Sequence, residues 1–309
     1  MKAMILAAGL GTRLRPITND MPKPMIPVAG IPNIERLIIH LRDEGIAQFA
    51  VNLHYCPQPL MTWLGDGRRL NVEICYFIEK NILGTGGGIR NMLTHVGNDT
   101  CIVVNGDVLF MPPIARIVKR HRESGALASM IIRPTDTQEQ GTVALSKSGR
   151  VKKLRPVGDT PGNQPYMFTG MHVIEPQMGE LLPASGCIVR QTYAAMVKRR
   201  DALYGIVDDG DFRDLGTPAD YLDVHLKILL GEIRLPGFIP PKGGNLIAQS
   251  ATLHPGASVE NSVVGENASI GANIKIKNSI VMAETVVGAN LLGQIAMPSG
   301  TLINALKRR

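Results

Sequence analysis

Aromatic residues are scarce in this chain: they make up 4% of its 309 residues, and tryptophan occurs once. A surface that binds single-stranded nucleic acid stacks bases on aromatic side chains, and this sequence offers little material for one. The net charge of +7 would suit a nucleic-acid partner, yet the basic residues are dispersed along the chain. We therefore predict no nucleic-acid partner and attribute the positive charge to the attraction of small anionic ligands.

Cysteine is also rare, and long apolar runs are missing from the sequence. None of the four cysteines forms a Cys-x-x-Cys pair, which argues against a zinc ribbon or a redox motif. No apolar run approaches the length of a membrane helix, and the first residues do not resemble a signal peptide. Because free thiols are typical of a reducing compartment, we expect a cytoplasmic protein with no membrane partner.

Two well-known phosphate-binding loops are absent from the glycine-rich stretch that follows the first predicted strand, residues 4–6. A Walker A loop needs Lys and then Ser or Thr after its last glycine, but Thr12-Arg13 follows Gly11. A dinucleotide fingerprint needs a third glycine where this chain has Leu14. Gly9 and Gly11 still allow backbone N–H groups to approach a phosphate, and the arginine adds a permanent positive charge.

The whole string of residues 7–16, together with Pro22-Lys23-Pro24, resembles the signature of the sugar-1-phosphate nucleotidylyltransferases, and residues 27–32 continue the match. The resemblance implies Mg²⁺-dependent transfer of a nucleotidyl group from an NTP to a sugar 1-phosphate, with release of pyrophosphate. It assigns Arg13 and Lys23 to catalysis, because both would stabilise the leaving pyrophosphate. The nucleotide contacts that it implies are Leu6, Ala8, Gly9, Gly11, Thr12, Gly86, Gly87 and Asn105.

Two carboxylates within family motifs are expected to bind the metal. Asp107 follows the predicted strand 101–105, at the strand end where open α/β sheets bind ligands. Asp214 lies in the string 212–218, which resembles the family's Asp-Ile-Gly-Thr-Pro. The resemblance implies that both bind Mg²⁺, which is usually held by one or two carboxylates plus substrate phosphates. The sequence does not show whether the two residues converge.

The sugar phosphate is expected to contact Gly141, Arg155, Thr169 and Gly170, again by resemblance. Many relatives carry Glu-Lys-Pro where this chain has Leu154-Arg155-Pro156, so a planar guanidinium replaces an ammonium and leaves the selected sugar open. His172, in the strand that follows, is interpreted as structural rather than catalytic.

Residues 84–88, Gly-Thr-Gly-Gly-Gly, are predicted to open a helix over residues 89–93. Consecutive glycines are costly in conformational entropy and need a reason. A tight turn is one reason. The resemblance favours another, which is close approach of the backbone to a nucleobase.

Strand-like and helical runs alternate up to about residue 230, which predicts an α/β fold with a Rossmann-like, mostly parallel sheet between helices. A linker rich in Pro and Gly follows at residues 235–244. Beyond it, apolar residues recur six apart, interrupted by one slip: Ile247, Leu253, Val259, Val264, Ile270, Ile276 and Met282. This hexapeptide pattern predicts a short left-handed parallel β-helix. We therefore predict a catalytic domain over residues 1–236 and a β-helix domain over residues 237–309, the latter for homo-oligomerisation or regulation.

The base and the sugar stay open at this point. Residues 51–55, 86–88 and 105–107 resemble the mannose- and heptose-1-phosphate guanylyltransferases, and also the N-acetylmuramic acid 1-phosphate uridylyltransferase. The predicted β-helix favours the guanylyl side, with uridylyl or thymidylyl transfer, to glucose 1-phosphate or N-acetylmuramic acid 1-phosphate, as the alternative.

Two other functions compete with catalysis of nucleotidyl transfer. A hexapeptide acyltransferase is disfavoured because the repeat is short and His254 is its only histidine. A non-catalytic regulatory subunit usually loses the signature cations or carboxylates, and this chain keeps Arg13, Lys23, Asp107 and Asp214.

Overall fold

The computed structural model describes residues 1–135, 141–155 and 165–306, so Pro156 and residues 307–309 lie outside the described part. The helices are α1 (Asn33–Asp43), α2 (Pro57–Leu64), α3 (Gly84–Val96), α4 (Ile114–Ser124), α5 (Ala194–Arg199) and α6 (Pro218–Leu229). Of the helices in these residues, none combines the length and the apolar character needed to cross a bilayer.

The strands before the linker are β1 (Lys2–Leu6), β2 (Pro27–Val28), β3 (Ile31–Pro32), β4 (Gln48–Leu53), β5 (Glu73–Ile78), β6 (Cys101–Asn105), β7 (Val108–Phe110), β8 (Ala128–Pro134), β9 (Val143–Leu145), β10 (Val151–Leu154), β11 (Tyr166–Ile174), β12 (Leu203–Val207) and β13 (Phe212–Asp214). Those after it are β14 (Leu246–Ile247), β15 (Thr252–Leu253), β16 (Ser258–Glu260), β17 (Val263–Val264), β18 (Ser269–Ile270), β19 (Lys275–Lys277), β20 (Ile280–Val281), β21 (Val286–Val287), β22 (Leu291–Leu292), β23 (Gln294–Ala296) and β24 (Leu302–Asn304).

The chain divides into two compact units, each assembled from several segments. The first unit consists of Met1–Leu10, Leu37–Gly106 and Phe110–Phe212. The second consists of Gly11–Arg36, Asp107–Leu109 and Arg213–Arg309. The boundary between the two units therefore falls inside the glycine-rich stretch, between Leu10 and Gly11.

The first unit is built on a mixed sheet with the strand order β10-β9-β11-β6-β1-β4-β5, to which β8 and β12 are added beside β11. Strands β6, β1, β4 and β5 run parallel, whereas β11 is antiparallel to β6 and β8. Residues of β1 and β6 are buried in continuous apolar runs, as parallel strands covered on both faces require. The predicted α/β class is confirmed.

The register of the central strands places two of the predicted nucleotide contacts, Leu6 and Asn105, on neighbouring strands. Leu6, the last residue of β1, pairs with Asn52 of β4 on one side and with Asn105 of β6 on the other. The carboxyl ends of these parallel strands therefore meet at one edge of the sheet, where α/β proteins bind ligands.

Helix α3 begins at Gly84, five residues before the predicted start at Ile89. The glycines lie inside the first turns of the helix, and neighbouring backbone explains why. A Cβ on Gly86 would lie 2.9 Å from the Pro183 ring, and one on Gly87 would lie 2.6 Å from the Ala184 carbonyl oxygen. Close packing on the 183–186 loop therefore overrides the low helix propensity of glycine.

In the second unit, the strands from β14 to β23 form a parallel β-helix. Its three faces are β14-β17-β20-β23, β15-β18-β21 and β16-β19-β22, and β24 is added antiparallel to β23. Residues of β14 and β17, of β15 and β18, and of β17 and β20 pair seventeen positions apart, whereas those of β20 and β23 pair fifteen positions apart. The Ser262 N–H also donates a hydrogen bond of 3.2 Å to Asn245 Oδ1, seventeen positions earlier. Apolar side chains fill the interior, among them Val264, Ile270 and Ile276.

Candidate active site

The part of the glycine-rich stretch that belongs to the second unit begins at Gly11, which packs against Thr18 and Lys23. Gly11 has a φ of +64°, and a Cβ there would lie 3.2 Å from the Thr18 side chain and 3.3 Å from the Lys23 Cβ. The Thr18 hydroxyl donates a hydrogen bond of 2.8 Å to the Gly11 carbonyl. The positive φ favours glycine at this position, and the space beside it is tight for a Cβ. Thr12–Leu14 then forms one short 3₁₀ turn that presents Arg13.

Lys23 contacts both carboxylates that were predicted to bind metal. Its Nζ lies 2.6 Å from Asp107 Oδ2 and 3.7 Å from Asp214 Oδ1. The lysine side chain is 8% exposed, while the two carboxylates keep 35% and 48% of their surface. The structure therefore brings these three residues together, a convergence that the sequence could not show.

The pairing of β7 with β13 explains why the two carboxylates meet. Asp107 directly precedes β7, and Asp214 is the last residue of β13. Helix α6 begins shortly after, and its N-cap Thr217 accepts a hydrogen bond of 3.1 Å from the Asp220 N–H. The predicted cap at Thr217-Pro218 is confirmed, and it fixes the backbone on the far side of Asp214.

Arg13 approaches the same group of residues from the glycine-rich loop. Its Nη2 lies 3.8 Å from Asp214 Oδ2, and its side chain is 66% exposed. Gly216 provides the room, because a Cβ there would lie 2.9 Å from both Asp214 carboxylate oxygens and 3.0 Å from Arg13 Nη1. Sequence reasoning singled out neither Gly216, which lies inside the string 212–218, nor Thr18, which lies between residues 7–16 and Pro22.

The donor set fits a magnesium ion. Within the described residues, no group of three or more His, Cys, Asp and Glu side chains is arranged to hold a metal. Mg²⁺ does not need such a cage, because it keeps several waters and is usually held by one or two carboxylates together with substrate phosphates. Asp107 and Asp214 supply two exposed, hard oxygen ligands at one place, as that mode of binding requires.

In the first unit, Asn105 lies against the predicted sugar-phosphate residue Gly170. An added Cβ at Gly170 would overlap the Asn105 side-chain amide, and Gly170 has a φ of +84°. The pairing of β11 with β8 shifts register between Phe168 and His172, so Gly170 lies in a bulge or other irregularity of the ladder. Bulges are frequent beside active sites, where they redirect a strand.

The Thr169 side chain is hydrogen-bonded within the sheet. Its hydroxyl donates a hydrogen bond of 2.7 Å to the Ile131 carbonyl, and the residue is 2% exposed. The hydroxyl is thus used within the sheet, and the backbone is the part of Thr169 that remains to contact a sugar phosphate.

Arg155 lies beside Gly141, the other predicted sugar-phosphate residue. Its Nε and Nη2 donate hydrogen bonds of 3.2 and 2.7 Å to the Gly141 carbonyl oxygen. The fork of the guanidinium makes this double contact, which a lysine could not reproduce. A contact of Arg155 with the sugar phosphate stays a prediction.

The remaining nucleotide candidates lie in the two segments that flank the sheet edge. Ala8 is buried, whereas a Cβ on Gly9 would meet no atom within 4 Å. Gly86 and Gly87 pack on the 183–186 loop, so their lack of a side chain has a reason without a ligand. A contact between these glycines and a base stays a prediction.

His172 is fully enclosed, in agreement with the structural interpretation. Its Nδ1 lies 2.7 Å from the Tyr193 hydroxyl, and burial lowers the pKa of His172 to about 3. The imidazole therefore stays neutral at physiological pH.

Sequence reasoning also missed Asn52 and Glu79. Both are polar residues with exposed fractions of only 3% and 4%. The sequence feature that could have identified Asn52 is its place as a polar residue within the apolar run 49–53.

Comparison with known proteins gives consistent matches. The family model described as nucleotidyl transferase matches residues 2–230. A mannose-1-phosphate guanylyltransferase of Mycobacterium tuberculosis is 33% identical over 85% of this chain and 74% of its own length. A UTP–glucose-1-phosphate uridylyltransferase of Synechocystis is 31% identical over 77% of this chain and 66% of its own length. A D-glycero-alpha-D-manno-heptose 1-phosphate guanylyltransferase of Aneurinibacillus thermoaerophilus is 28% identical over 72% of this chain and 95% of its own length.

The fold is similar to that of solved structures. The crystal structure of HddC from Yersinia pseudotuberculosis superposes with a TM-score of 0.63 at 24% identity, over 72% of this chain and 97% of that chain.

Proposed function

The chain belongs to the nucleotidyl transferase family and is a sugar-1-phosphate nucleotidylyltransferase, and within this class we propose that it transfers GMP from GTP to mannose 1-phosphate or a heptose 1-phosphate. The products of that reaction are a GDP-sugar and pyrophosphate.

One observation carries the catalytic part of the proposal: Lys23 lies 2.6 and 3.7 Å from the carboxylates of Asp107 and Asp214. Two carboxylates and a buried ammonium at one place supply a metal site and a phosphate ligand together. A regulatory subunit would not need to keep this group complete.

The proposal assigns a separate role to the carboxylates and to the cations of this site. Asp107 and Asp214 would hold Mg²⁺, which when bound neutralises the triphosphate and favours attack on its α-phosphorus. Lys23 and Arg13 place positive charge where negative charge develops on the leaving pyrophosphate. A phosphate oxygen of the sugar 1-phosphate attacks in line without a covalent intermediate, so positioning and charge stabilisation account for most of the rate.

Guanylyl transfer is supported by the relatives and by the sequence. Two of the three curated relatives are named guanylyltransferases, one for mannose 1-phosphate and one for a heptose 1-phosphate. The uridylyltransferase relative supports the second candidate, which is uridylyl or thymidylyl transfer to glucose 1-phosphate or N-acetylmuramic acid 1-phosphate.

A substrate panel tests the proposal. Four NTPs (GTP, UTP, dTTP and ATP) are combined with mannose, heptose, glucose and N-acetylmuramic acid 1-phosphates, and pyrophosphate release is measured with and without Mg²⁺. We expect the highest kcat/KM for GTP with mannose or heptose 1-phosphate, and no turnover after chelation. A preference for UTP or dTTP would select the second candidate, and no release from any pair would favour a regulatory subunit.

A further inference from the structure

Asn52 and Glu79 form a buried polar connection in the first unit, which we call the Asn52–Glu79 bridge. The Ala7 N–H donates a hydrogen bond of 2.8 Å to Asn52 Oδ1, and Asn52 Nδ2 donates one of 2.7 Å to Glu79 Oε1. The Leu83 N–H donates a third bond, of 2.8 Å, to Glu79 Oε2. The bridge therefore runs from the residue after β1 to the residue before α3.

The two ends of the bridge coincide with the two segments that were predicted to bind the nucleotide. Ala7 lies between the candidates Leu6 and Ala8. Leu83 is the N-cap of α3, whose first turns contain the candidates Gly86 and Gly87. No other predicted role explains why an amide and a carboxylate are buried between these segments.

The direction of each hydrogen bond in the Asn52–Glu79 bridge, from donor to acceptor, is determined by the neighbouring groups. A side-chain amide has one accepting and one donating end, and the Ala7 N–H must meet the accepting end. The Asn52 amino group then faces Glu79, whose two oxygens accept from Asn52 and Leu83. Because the group is buried, each hydrogen bond that fails leaves an unsatisfied polar atom.

Gly88, the last of the three consecutive glycines in α3, packs directly against this bridge. A Cβ on Gly88 would lie 2.7 Å from Asn52 Nδ2 and 3.0 Å from Glu79 Oε1. Gly86 and Gly87 face the 183–186 loop instead. The glycine run thus has two separate packing reasons, and one of them is to admit the bridge.

We propose that Asn52 and Glu79 are positioning residues for the NTP, which hold the backbone after β1 and the first turn of α3 in the spacing that receives the nucleotide. They act through Ala7 and Leu83 rather than through contact with the substrate. This inference rests on the proposed function, since it needs an NTP as ligand.

Two single isosteric variants disrupt the bridge. Each exchanges one hydrogen-bond donor for an acceptor, or one acceptor for a donor, without changing the size of the side chain. In Asn52→Asp, a carboxylate oxygen faces the Glu79 carboxylate, so two acceptors oppose each other. In Glu79→Gln, the side chain offers one acceptor to two donors, Asn52 Nδ2 and the Leu83 N–H. We expect each single variant to raise the Kd for the NTP about tenfold or more.

The double variant Asn52→Asp/Glu79→Gln restores every hydrogen bond with the central one reversed. The new Asp accepts from Ala7 and from the new Gln, whose carbonyl oxygen accepts from Leu83. We expect its Kd to return to within about threefold of the wild-type value, a rescue that follows from hydrogen-bond complementarity.

A matched control exists at the other end of the same two strands. The Gln48 side-chain amide donates a hydrogen bond of 2.8 Å to the Glu73 carboxylate, and the two residues pair in the register of β4 and β5. Glu73→Gln makes the same chemical change as Glu79→Gln but at an exposed site, and we expect its NTP affinity to be unchanged.

The experiment titrates GTP, UTP, dTTP and ATP separately by calorimetry, and measures KM for the NTP, KM for the sugar 1-phosphate, and kcat. Support requires that the single variants raise Kd and KM for the NTP more than KM for the sugar 1-phosphate, and that the double variant recovers. Single variants that bind like wild type overturn the inference, as does a double variant as weak as either single one. If wild type binds none of the four NTPs, the proposed function fails as well, whereas the other two failures leave that function intact.

Discussion

Asp107 is the residue on which the metal proposal depends most directly. Replacing Asp107 by Asn removes one carboxylate charge while keeping the shape of the side chain. We expect turnover to fall by about a hundredfold or more and Mg²⁺ affinity to weaken, because a hard cation loses one of two charged ligands. Kinetics and metal titration measure these effects, and circular dichroism checks that the fold persists.

A second Gly-Asp step provides the control for that variant. Asp66 follows Gly65 as Asp107 follows Gly106, but its carboxylate forms an exposed ion pair with Arg68 at 3.0 Å. Asp66→Asn should retain wild-type turnover and Mg²⁺ response. Normal turnover in Asp107→Asn would remove Asp107 from the site.

Substitutions at Arg13 and Arg15 test which arginine of this loop is the catalytic cation that we propose. Arg13 Nη2 lies 3.8 Å from Asp214 Oδ2, whereas Arg15 ends the short 3₁₀ turn with extended backbone. We expect Arg13→Ala to lower kcat about a hundred- to a thousandfold, the usual cost of losing one preorganised charged donor. Arg15→Ala should cost far less in pyrophosphate release, and the opposite order would show that the triphosphate contact is assigned to the wrong arginine.

The identities of these residues were predictable, and their convergence was not. The strings around Arg13, Lys23, Asp107 and Asp214 are specific enough to identify from the sequence. The pairing of β7 with β13 joins two strands of three residues each, and such short strands leave no hydrophobic period to detect. The position of Lys23 between two carboxylates required the structure.

At the scale of secondary-structure elements, a substitution at Gly216 tests the connection between β13 and α6. Its added Cβ would lie 2.9 Å from both Asp214 carboxylate oxygens. We therefore expect Gly216→Ala to displace the Asp214 carboxylate and to lower Mg²⁺ affinity and turnover about tenfold or more. Gly288→Ala is the control, because a Cβ there meets no atom within 4 Å. Equal activity in both variants would argue against a crowded site at Gly216.

Helix α3 shows what sequence reasoning at this scale misses. Local propensity disfavours a helix in a run of glycines, so the predicted start fell at Ile89. The structure begins the helix at Gly84 because the 183–186 loop and the Asn52–Glu79 bridge both need backbone without Cβ atoms. The β-helix was easier to predict, since its apolar residues recur along the sequence and pack in one interior.

For the whole molecule, two buried histidines predict how stability depends on pH. Burial lowers the pKa of His172 to about 3 and that of His225 to about 4. His225 stays neutral so that its Nε2 can accept from the Ala29 N–H at 3.4 Å. Each histidine gains a proton on unfolding when the pH lies between its folded pKa and its unfolded value of about 6.5.

The sign of the effect follows from this proton uptake. Unfolding should become easier as the pH falls from about 6.5 towards 4, at about 1.4 kcal/mol per pH unit for each histidine. Urea unfolding at pH 7, 6 and 5 measures the slope, and His225→Gln should reduce it by one histidine's share. An unchanged slope in that variant would mean that His225 is protonated in the folded protein.

The β-helix gives the last prediction, which concerns assembly. Its surface carries exposed apolar side chains, including Val286 at 79%, Leu292 at 60% and Leu302 at 49%. These side chains lie in three different sheets of the β-helix, and contact with a second copy would remove such apolar surface from water. We expect removal of residues 240–309 to lower the mass measured by light scattering, while pyrophosphate release falls much less, because Arg13, Lys23, Asp107 and Asp214 all remain. This truncation keeps Phe238 and therefore keeps the contact between the Arg36 guanidinium and the Phe238 ring at 5.7 Å.

A full-length variant with Val286→Lys and Leu292→Lys tests whether assembly depends on the β-helix surface rather than on the presence of the β-helix. It should show the same fall in mass. An unchanged mass together with lost turnover would mean that the β-helix serves the active site instead.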